Sequence, residues 1–366
     1  MIKRIAIKNF KSLDVDFALD PVTVLVGKSG TGKTNIVEAL RFLRNFLRGK
    51  VNFDWPMISA TANAENVLRF VLEFNVEGVS GLFQYLLEFK YNRGQNYQVQ
   101  QEKLCIDKRV LYHVQNRNWI EQPKVLNLPD PAGVILRSLT GVHEVSIAHV
   151  VLTDNLGCYD FPGTVCTQDS VDRANGEGVD DSASNYAGTF EAIRSNLSKL
   201  SAWQEINSAL KCLNATFETI DAGNPRGKRL VVSHNFNGRI LALDMARESE
   251  GFRRFFAHLI ALYQSPPKQT LVFEEPEKGI HPGALATLAE ELKACPADGR
   301  GQVVITTHSP GLLDHFAPEN IRVVDMDNYV TRIGSVEQAQ LDALKESLLK
   351  PGELLTVDPA RLDPVT

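Results

Sequence analysis

The sequence predicts an α/β fold, in which buried, mostly parallel strands end in polar turns and are flanked by helices. Residues 22–26 are mostly β-branched, which is typical of a strand buried on both faces. A glycine-rich turn follows at once, and apolar residues then recur at helical spacing over residues 35–48. Residues 270–273 and 303–306 are further hydrophobic strands that end in polar clusters. Such an alternation of strands and helices favours a mainly parallel core sheet.

Composition excludes several classes of protein. The chain has 366 residues, of which 43% are hydrophobic and 23% charged, as in folded globular proteins and unlike disordered ones. Its 39 basic and 44 acidic residues give a net charge of −5, which argues against a surface wholly devoted to nucleic acid but allows a local basic patch. No apolar run approaches the roughly 20 residues of a membrane span. The five cysteines form no C-x-x-C pair, so we expect a cytoplasmic protein with reduced thiols. Because the apolar runs are short, we also expect no membrane partner.

The pattern changes after the first strand, the glycine turn and the helix. Short alternating segments, such as residues 85–91 and 110–114, predict antiparallel strands. We interpret residues 51–144 as a β-rich lobe inserted into a discontinuous domain that is formed by residues 1–50 and 145–335.

Local signals predict the remaining elements. Residues 161–187 are rich in Gly, Asp, Ser and Asn, which indicates a loop or mobile lid, and residues 189–217 are mainly helical in pattern. Both belong to a loop and helical lid over residues 161–228. Asn237-Gly238 is a strong hairpin signal. Helices are also predicted at residues 252–263 and 283–292, a strand at 321–324, and a helix with a polar tail at 336–366.

The glycine-rich turn has the spacing of a phosphate-binding loop. Residues 27–34 match G-x-x-x-x-G-K-[ST], with a strand before them and a helix after them. Lys33 is expected to reach the β- and γ-phosphates and the Thr34 hydroxyl to ligate Mg²⁺, while the helix directs its positive end at the anion. An ordinary glycine turn is the alternative. The predicted nucleotide-binding residues of the loop are Gly27, Lys28, Ser29, Gly30, Thr31, Gly32, Lys33, Thr34 and Asn35.

The strand at residues 270–273 ends in paired carboxylates, Glu274-Glu275-Pro276-Glu277. In combination with a phosphate loop, such a strand end is the second half of a nucleotide site. Glu274 is expected to hold Mg²⁺, directly or through water, and Glu275 to orient and deprotonate the attacking water. A solvated acidic turn is the alternative.

A histidine follows the strand at residues 303–306. His308 lies in Thr306-Thr307-His308-Ser309-Pro310, where strand ends open onto a ligand crevice in α/β sheets. We expect His308 to hydrogen-bond the γ-phosphate. A capping histidine at the helix start of Ser309-Pro310 is the alternative. For His281 we favour a structural role in a turn.

Taken together, these motifs resemble the ABC-type ATPase heads of the SMC/RecF/OLD group. Asn9-Phe10-Lys11-Ser12 is similar to the group's N-terminal nFKS strand, and residues 27–35 are similar to its G-x-N-G-S-G-K-S-N loop. Residues 274–282 are close to the EEPE-x-x-LHP of OLD-like heads, and residues 306–310 match TTHSP. The resemblance covers most of residues 1–50 and 180–335, and it implies ATP and Mg²⁺ as ligands.

The resemblance also implies a signature segment that completes the nucleotide site of a partner subunit. Its pattern is Leu-Ser-x-Gly, which Ser249 and Gly251 match, while Glu248 stands in place of the leucine. An N-capped helix is the alternative. Arg253 and Arg254, which follow, are candidates for a dimer interface, for nucleic acid binding, or for a solvated charged face. The group's glutamine-loop residue has no convincing match.

The resemblance implies an ATP-hydrolysing switch that closes as a head-to-tail homodimer. The C-terminal remainder is too short for the TOPRIM nuclease domain of OLD proteins, and the chain has no long coiled coil, so we expect a sensor or regulator with a separate effector, such as a nuclease, in phage defence or genome maintenance. The alternatives are a RecF-like repair ATPase that binds DNA directly, an ATPase subunit of a transporter, and a module that binds nucleotide without hydrolysis.

Overall fold

The computed structural model describes residues 1–50, 67–91, 97–125, 127–139, 141–171, 178–196, 200–223 and 228–363. The chain forms two compact units, Met1–Leu156 with Pro318–Thr366, and Gly157–Ala317. The predicted β-rich lobe at residues 51–144 falls within the first unit, and its boundaries remain predictions. Parts of that lobe and of the predicted lid lie outside the described residues.

The strands and helices follow the chain in this order. The strands are β1 (Ile2–Phe10), β2 (Leu13–Ala18), β3 (Val22–Val26), β4 (Val67–Val76), β5 (Val79–Tyr91), β6 (Tyr97–Ile106), β7 (Arg109–Gln115), β8 (Asn118–Glu121), β9 (Leu156–Tyr159), β10 (Phe217–Ala222), β11 (Leu230–Phe236), β12 (Arg239–Asp244), β13 (Thr270–Glu274), β14 (Gln302–Thr306), β15 (Ile321–Asp327) and β16 (Val330–Gly334). The helices are α1 (Lys33–Leu47), α2 (Ile135–Ser138), α3 (His143–Leu152), α4 (Tyr186–Ser195), α5 (Leu200–Leu213), α6 (Glu250–Tyr263), α7 (Leu285–Ala297), α8 (Pro310–Leu313) and α9 (Gln338–Lys345).

In the first unit the strands lie in the order β8-β7-β6-β5-β4-β1-β2-β16-β15-β3. Neighbours from β8 to β2 are antiparallel, whereas β16 runs parallel to β2 and β15 parallel to β3. The β-rich segment therefore extends the sheet from β1 through β4. The rings of Phe10, Phe42, Phe46, Phe70 and Phe89 cluster with centroid separations from 4.9 to 6.4 Å. This aromatic cluster joins α1 to the sheet and fixes the direction in which the helix starts.

The second unit contains the other predicted core strands. β13 and β14 pair in parallel and in register, with Glu274 opposite Thr306, and β9 lies next to β13. β10, β11 and β12 form a separate antiparallel sheet of three strands. Asn237 and Gly238 join β11 to β12 with φ of 51° and 87°, the positive values that a tight hairpin turn requires. α6 packs against α4, α5 and α7 and is buried along most of its length.

Residues 186 and 187 of the predicted loop at 161–187 belong to α4, whereas its other described residues, 161–171 and 178–185, contain no regular secondary structure. They bury Val165, Cys166 and Val179. Across the described residues, no helix combines the length and apolarity needed to span a bilayer.

Candidate functional site

The phosphate loop in the first unit depends on glycine at specific positions. Gly27, Gly30 and Gly32 have φ of 156°, 81° and 103°, values that other residues rarely adopt. A Cβ on Gly27 would lie 2.0 Å from the carbonyl oxygen of Val324, and a Cβ on Gly32 would lie 2.2 Å from Oγ1 of Thr331. Both glycines are therefore required by contact as well as by conformation.

The loop curls around the amine of Lys33. Lys33 is 4% exposed, and its Nζ donates to the carbonyl oxygens of Gly27 at 2.7 Å and Lys28 at 2.8 Å. α1 begins at this residue after Gly32, so no side chain caps the helix and its first turn contains no acidic residue. Backbone N–H groups at an uncapped helix start bind anions. A phosphate oxygen entering this loop would replace the carbonyls as acceptor for the amine.

A chain of buried hydroxyl groups supports the loop from behind. The Thr331 hydroxyl donates to the carbonyl oxygen of Thr31 at 2.8 Å and lies 2.7 Å from Oγ of Ser12. Asn35, in the first turn of α1, donates its side-chain amide to the same Ser12 oxygen at 2.8 Å. Thr331 is fully buried and Ser12 is 7% exposed. The predicted ligand Asn35 thus braces the loop, and Ser12 and Thr331 hold it without any ionisable group.

The acidic turn in the second unit has a strained backbone. Glu275 has φ of 44°, a conformation that costs a non-glycine residue about 1–3 kcal/mol. Its N–H donates to the carbonyl oxygen and to Oγ1 of Thr306, each at 3.1 Å. The Glu275 carboxylate lies 3.2 Å from Nζ of Lys278 and 3.8 Å from Nε2 of His308. Glu275 and His308, both chosen from the sequence, therefore come together, while Glu274 ends β13 and is 9% exposed.

Glu277 joins the acidic turn (residues 274–277) to the segment that contains His308 (residues 306–310). Its Oε1 accepts from Oγ1 of Thr307 at 2.7 Å and from the N–H of His308 at 3.0 Å. Burial raises the pKa of the Glu277 carboxyl. Oε2 is buried and makes no hydrogen bond with the described residues. Glu277 thus fixes the backbone that carries His308.

The proposed signature segment begins α6. Ser249 is its N-cap, with Oγ accepting from the N–H of Phe252 at 3.2 Å. A Cβ on Gly251 would lie 2.6 Å from the carbonyl oxygen of Gly279. Gly251 is therefore needed for the close approach of α6 to the acidic turn.

The residue before Ser249 is held by a buried hydrogen bond between side chains. Glu248 and His234 are 8% and 3% exposed, and Oε1 of the glutamate lies 2.9 Å from Nε2 of the histidine. Arg253 donates to the carbonyl oxygens of Glu248, Gly163 and Val165. Arg253, which the sequence suggested for a dimer interface or nucleic acid binding, therefore makes these hydrogen bonds within its own chain.

Sequence patterns missed several of these supports. Ser12 belonged to a matched motif but had no role, whereas Thr331 and His234 stand in strands without a motif around them. Their only signal is a polar side chain at an inward-facing strand position. His281 has the structural role favoured above, since Nδ1 accepts from the N–H of Gly283 at 3.0 Å.

Each unit contains a predicted oxygen donor of the kind that suits Mg²⁺ bound together with a nucleotide. The Thr34 hydroxyl in the first unit and the Glu274 carboxylate in the second are each hard oxygen donors, the kind that Mg²⁺ prefers. Within the described ranges, no group of three or more His, Cys, Asp or Glu residues could hold a metal by itself. The phosphate oxygens and water would therefore supply the other positions, as is usual for this ion.

Two protein-family models match the sequence. The family described as "AAA ATPase domain" matches residues 1–126. The family described as "AAA domain, putative AbiEii toxin, Type IV TA system" matches residues 170–314. The first match contains the phosphate loop, and the second contains the acidic turn, the signature segment and His308.

Curated relatives match over short stretches. An OLD nuclease of Thermus scotoductus is 35% identical over 71 residues, which is 19% of this chain and 12% of the relative. A DNA replication and repair protein RecF of an Arthrobacter species is 39% identical over 59 residues, or 16% of this chain and 15% of the relative. The chain thus aligns with less than a sixth of either relative.

Solved structures match over nearly the whole chain. An SMC head bound to the C-terminal winged-helix domain of ScpA superposes with a TM-score of 0.60 at 14% identity, over 93% of this chain and 99% of the other. An SMC head with an extended coiled coil from Pyrococcus furiosus, bound to the C-terminal domain of ScpA, gives 0.54 at 12% identity, over 95% and 99%. The fold predicted from the sequence is therefore confirmed.

Proposed function

We propose that this chain, a P-loop ATPase head of the SMC/RecF/OLD-like group, is a slow Mg²⁺-dependent ATPase that switches between an open state and an ATP-bound, head-to-tail homodimer. The observation that carries the proposal is the phosphate loop, in which Lys33 donates to two carbonyls at an uncapped helix start. A loop so arranged exchanges its own acceptors for those of a phosphate.

The residues divide the chemistry as follows. Lys33 and the loop N–H groups bind the β- and γ-phosphates, and Thr34 and Glu274 would hold a Mg²⁺ ion, which would neutralise phosphate charge when bound. Glu275 accepts a proton from water as the water oxygen attacks the γ-phosphorus. The bond from that phosphorus to the β,γ-bridging oxygen breaks, and ADP leaves with the electron pair. His308 donates a hydrogen bond to the transferred phosphoryl group.

The dimer follows from the signature segment. Ser249 caps α6 by accepting from the N–H of Phe252, and we propose that the remaining N–H groups of that first turn meet an anion on a second subunit. In the proposed dimer the partner's Ser249 and the partner's Gly251 complete the site that Lys33 begins. ATP then favours the closed dimer only as far as it binds that state more tightly.

At the level of the cell, we propose a sensor or regulator that acts with a separate effector, such as a nuclease, in phage defence or genome maintenance. The similarity to an OLD nuclease and to the family described as a putative AbiEii toxin supports this. Direct DNA repair is the second candidate, since a segment is 39% identical to a RecF protein. The two differ in DNA binding, which a salt-dependent gel shift of the ATP-bound protein detects.

Two substitutions test the site. Lys33→Ala should abolish ATP binding and hydrolysis. Glu275→Gln should keep ATP bound and the dimer closed while phosphate release falls at least about 100-fold, because the general base is lost. Glu290→Gln, on the exposed face of α7, is the matched control and should hydrolyse normally. Normal phosphate release by Glu275→Gln would assign the water-activating role to another residue, and ATP binding by Lys33→Ala would contradict the loop assignment.

A further inference from the structure

A chain of polar side chains runs from Asn214 and Thr216, just before β10, through the buried His234 of β11 to the buried Glu248 beside the proposed signature segment. The Thr216 hydroxyl donates to Oδ1 of Asn214 at 2.8 Å and lies 3.0 Å from Nδ1 of His234. Because the single hydroxyl proton is used on Asn214, Nδ1 of His234 is the donor to Thr216. The other ring nitrogen, Nε2, then faces Oε1 of Glu248 at 2.9 Å. The chain ends at the residue directly before Ser249.

Glu248 is held at its main chain as well as at its side chain. Its carbonyl oxygen accepts from Arg253, which also donates to the carbonyls of Gly163 at 2.8 Å and Val165 at 2.9 Å. Its N–H donates to the carbonyl of Met245 at 3.1 Å. Because Glu248 is bonded at three points, it fixes the position of the next residue, Ser249, which is the N-cap of α6.

His234, the partner of Glu248, belongs to β11, the central strand of the three-stranded sheet. His234 lies on β11 opposite Leu241 of β12, and its ring lies 6.3 Å from that of Phe252 in α6. Phe236, Ile240 and Leu241 near the hairpin tip are 49%, 59% and 47% exposed. The sheet therefore contacts the start of α6 on one side and exposes apolar residues near its turn.

We propose that His234 and Glu248 are positioning residues that fix Ser249 and Gly251 for the nucleotide of the partner subunit, so that the three-stranded sheet sets the geometry of dimer closure. This rests on the proposed function, because it assigns the signature role to Ser249 and Gly251. The hydrogen-bonded pair holds the turn before α6 in one orientation, whereas an apolar residue at position 248 would allow several.

Stability alone does not account for the pair. Replacing both partners of a buried hydrogen bond by apolar groups of the same shape is often nearly neutral or stabilising. A leucine at position 248, the residue of the resembled signature pattern, would fill the same space without the desolvation cost. We therefore attribute to the pair a role in orienting the turn before α6, since a hydrogen bond fixes an orientation and an apolar contact does not.

Two substitutions at one position test the proposal. Glu248→Gln keeps a hydrogen-bonding side chain opposite Nε2 of His234, while Glu248→Leu removes it. We expect Glu248→Leu to lower kcat and the equilibrium constant for ATP-dependent dimerisation by roughly ten- to 100-fold, because a shift of about 1 Å in a positioning group has effects of that order. The Kd of the monomer for ATP should stay unchanged, since the phosphate loop is untouched. Glu248→Gln should retain most of the wild-type turnover.

A matched control separates position from stability. Glu102→Gln alters another fully buried carboxylate, which accepts from the backbone N–H groups of Ile135 and Leu136. This variant should unfold more easily but dimerise and turn over normally per folded molecule. A Glu248→Leu protein with wild-type kcat and dimerisation would overturn the proposal.

A double variant covers the case in which Glu248→Leu does not fold. Glu248→Leu with His234→Phe restores apolar packing and should fold, bind ATP and remain defective in ATP-dependent dimerisation. Full recovery of turnover by this double variant would also overturn the proposal, because packing would then suffice. If the wild-type protein stays monomeric with ATP in the same assay, the proposed dimer itself fails.

Discussion

The phosphate loop and the acidic turn are built from different kinds of support. Behind the loop, Ser12 and Thr331 act through neutral hydroxyls, and Lys33 is the ionisable group that the loop surrounds. In the second unit, the supports of His308 and of the residue before Ser249 include ionisable side chains, namely Glu277 and the pair of His234 and Glu248. We therefore expect the Kd of the loop for ATP to vary little with pH. We expect the pH dependence of the free energy of unfolding to come mainly from the second unit.

This difference has a physical reason. A loop that binds a polyanion gains from its own amine and backbone dipoles, and a buried carboxylate behind it would oppose the ligand. The acidic turn must instead keep the Glu275 carboxylate accessible on a strained backbone. Buried charged or titratable partners give stronger and more directional hydrogen bonds than hydroxyls do, but their strength changes with protonation.

The largest expected effect concerns His258 in α6. Its side chain is buried, and Nδ1 donates to the carbonyl of Arg254 at 2.7 Å. Burial lowers the pKa of His258 to about 4 from an ordinary value of 6.5. Because the unfolded chain binds the proton more readily, the free energy of unfolding should fall by about 3 kcal/mol as the pH drops from 6.5 to 4.

The measurement is the free energy of unfolding in urea between pH 4 and pH 7.5, for the wild-type protein and for His258→Phe. Phenylalanine keeps a ring between Phe161 and Phe273, which contact the histidine ring, and does not titrate. The difference between the two proteins should change across this range. A difference that stays constant with pH would mean that His258 is not the acid-sensitive group.

The second effect concerns Thr331 behind the phosphate loop. Thr331→Val keeps the shape and removes the hydroxyl, which leaves the carbonyl of Thr31 without this buried donor. The loss should be about 1–2 kcal/mol, which we expect to appear as a Kd for ATP raised roughly ten-fold. Because no ionisable group is involved, the ratio of the two Kd values should not vary between pH 6 and pH 8.

Thr331→Ser is the matched control for this change. It retains the hydroxyl and loses only a methyl group, so its Kd for ATP should stay close to that of the wild-type protein. If the valine and serine variants bind ATP equally well, the hydroxyl does not hold the loop. If the effect of valine depends on pH, the contrast between the two regions is wrong.

The sequence predicted what local patterns encode. The loop over residues 27–34, the hairpin at Asn237-Gly238 and the parallel strands β13 and β14 were all recognised, because spacing, turn residues and hydrophobic runs fix them within a few residues. Glu275 and His308 were each predicted from a strand end with a separate role, and the structure brings their side chains to 3.8 Å, a contact that the sequence did not predict.

What the sequence did not predict depends on distant contacts. Thr331 meets Thr31 across 300 positions of the chain, and His234 meets Glu248 across 14. Neither contact has a local pattern, since a threonine or histidine in a strand is compatible with many partners. The positive φ of Glu275 was likewise unforeseen, because it is imposed by Thr306 on the neighbouring strand and not by the glutamate itself.

The smallest expected effect separates the two functions of Glu277, which are acceptance of hydrogen bonds and titration. Glu277→Gln keeps Oε1 as acceptor for Thr307 and the N–H of His308, whereas Glu277→Ala removes it. We expect kcat to fall about five-fold in the alanine variant, since each such bond contributes about 1 kcal/mol. The glutamine variant should stay within about two-fold of the wild-type kcat, because the acceptor remains. The same kcat in both variants would mean that His308 needs no support from Glu277.

Since burial raises the pKa of Glu277, the folded wild-type protein binds this proton more readily than the unfolded chain. Its stability should therefore fall as the pH rises above 4.5, and Glu277→Gln should remove that part of the slope.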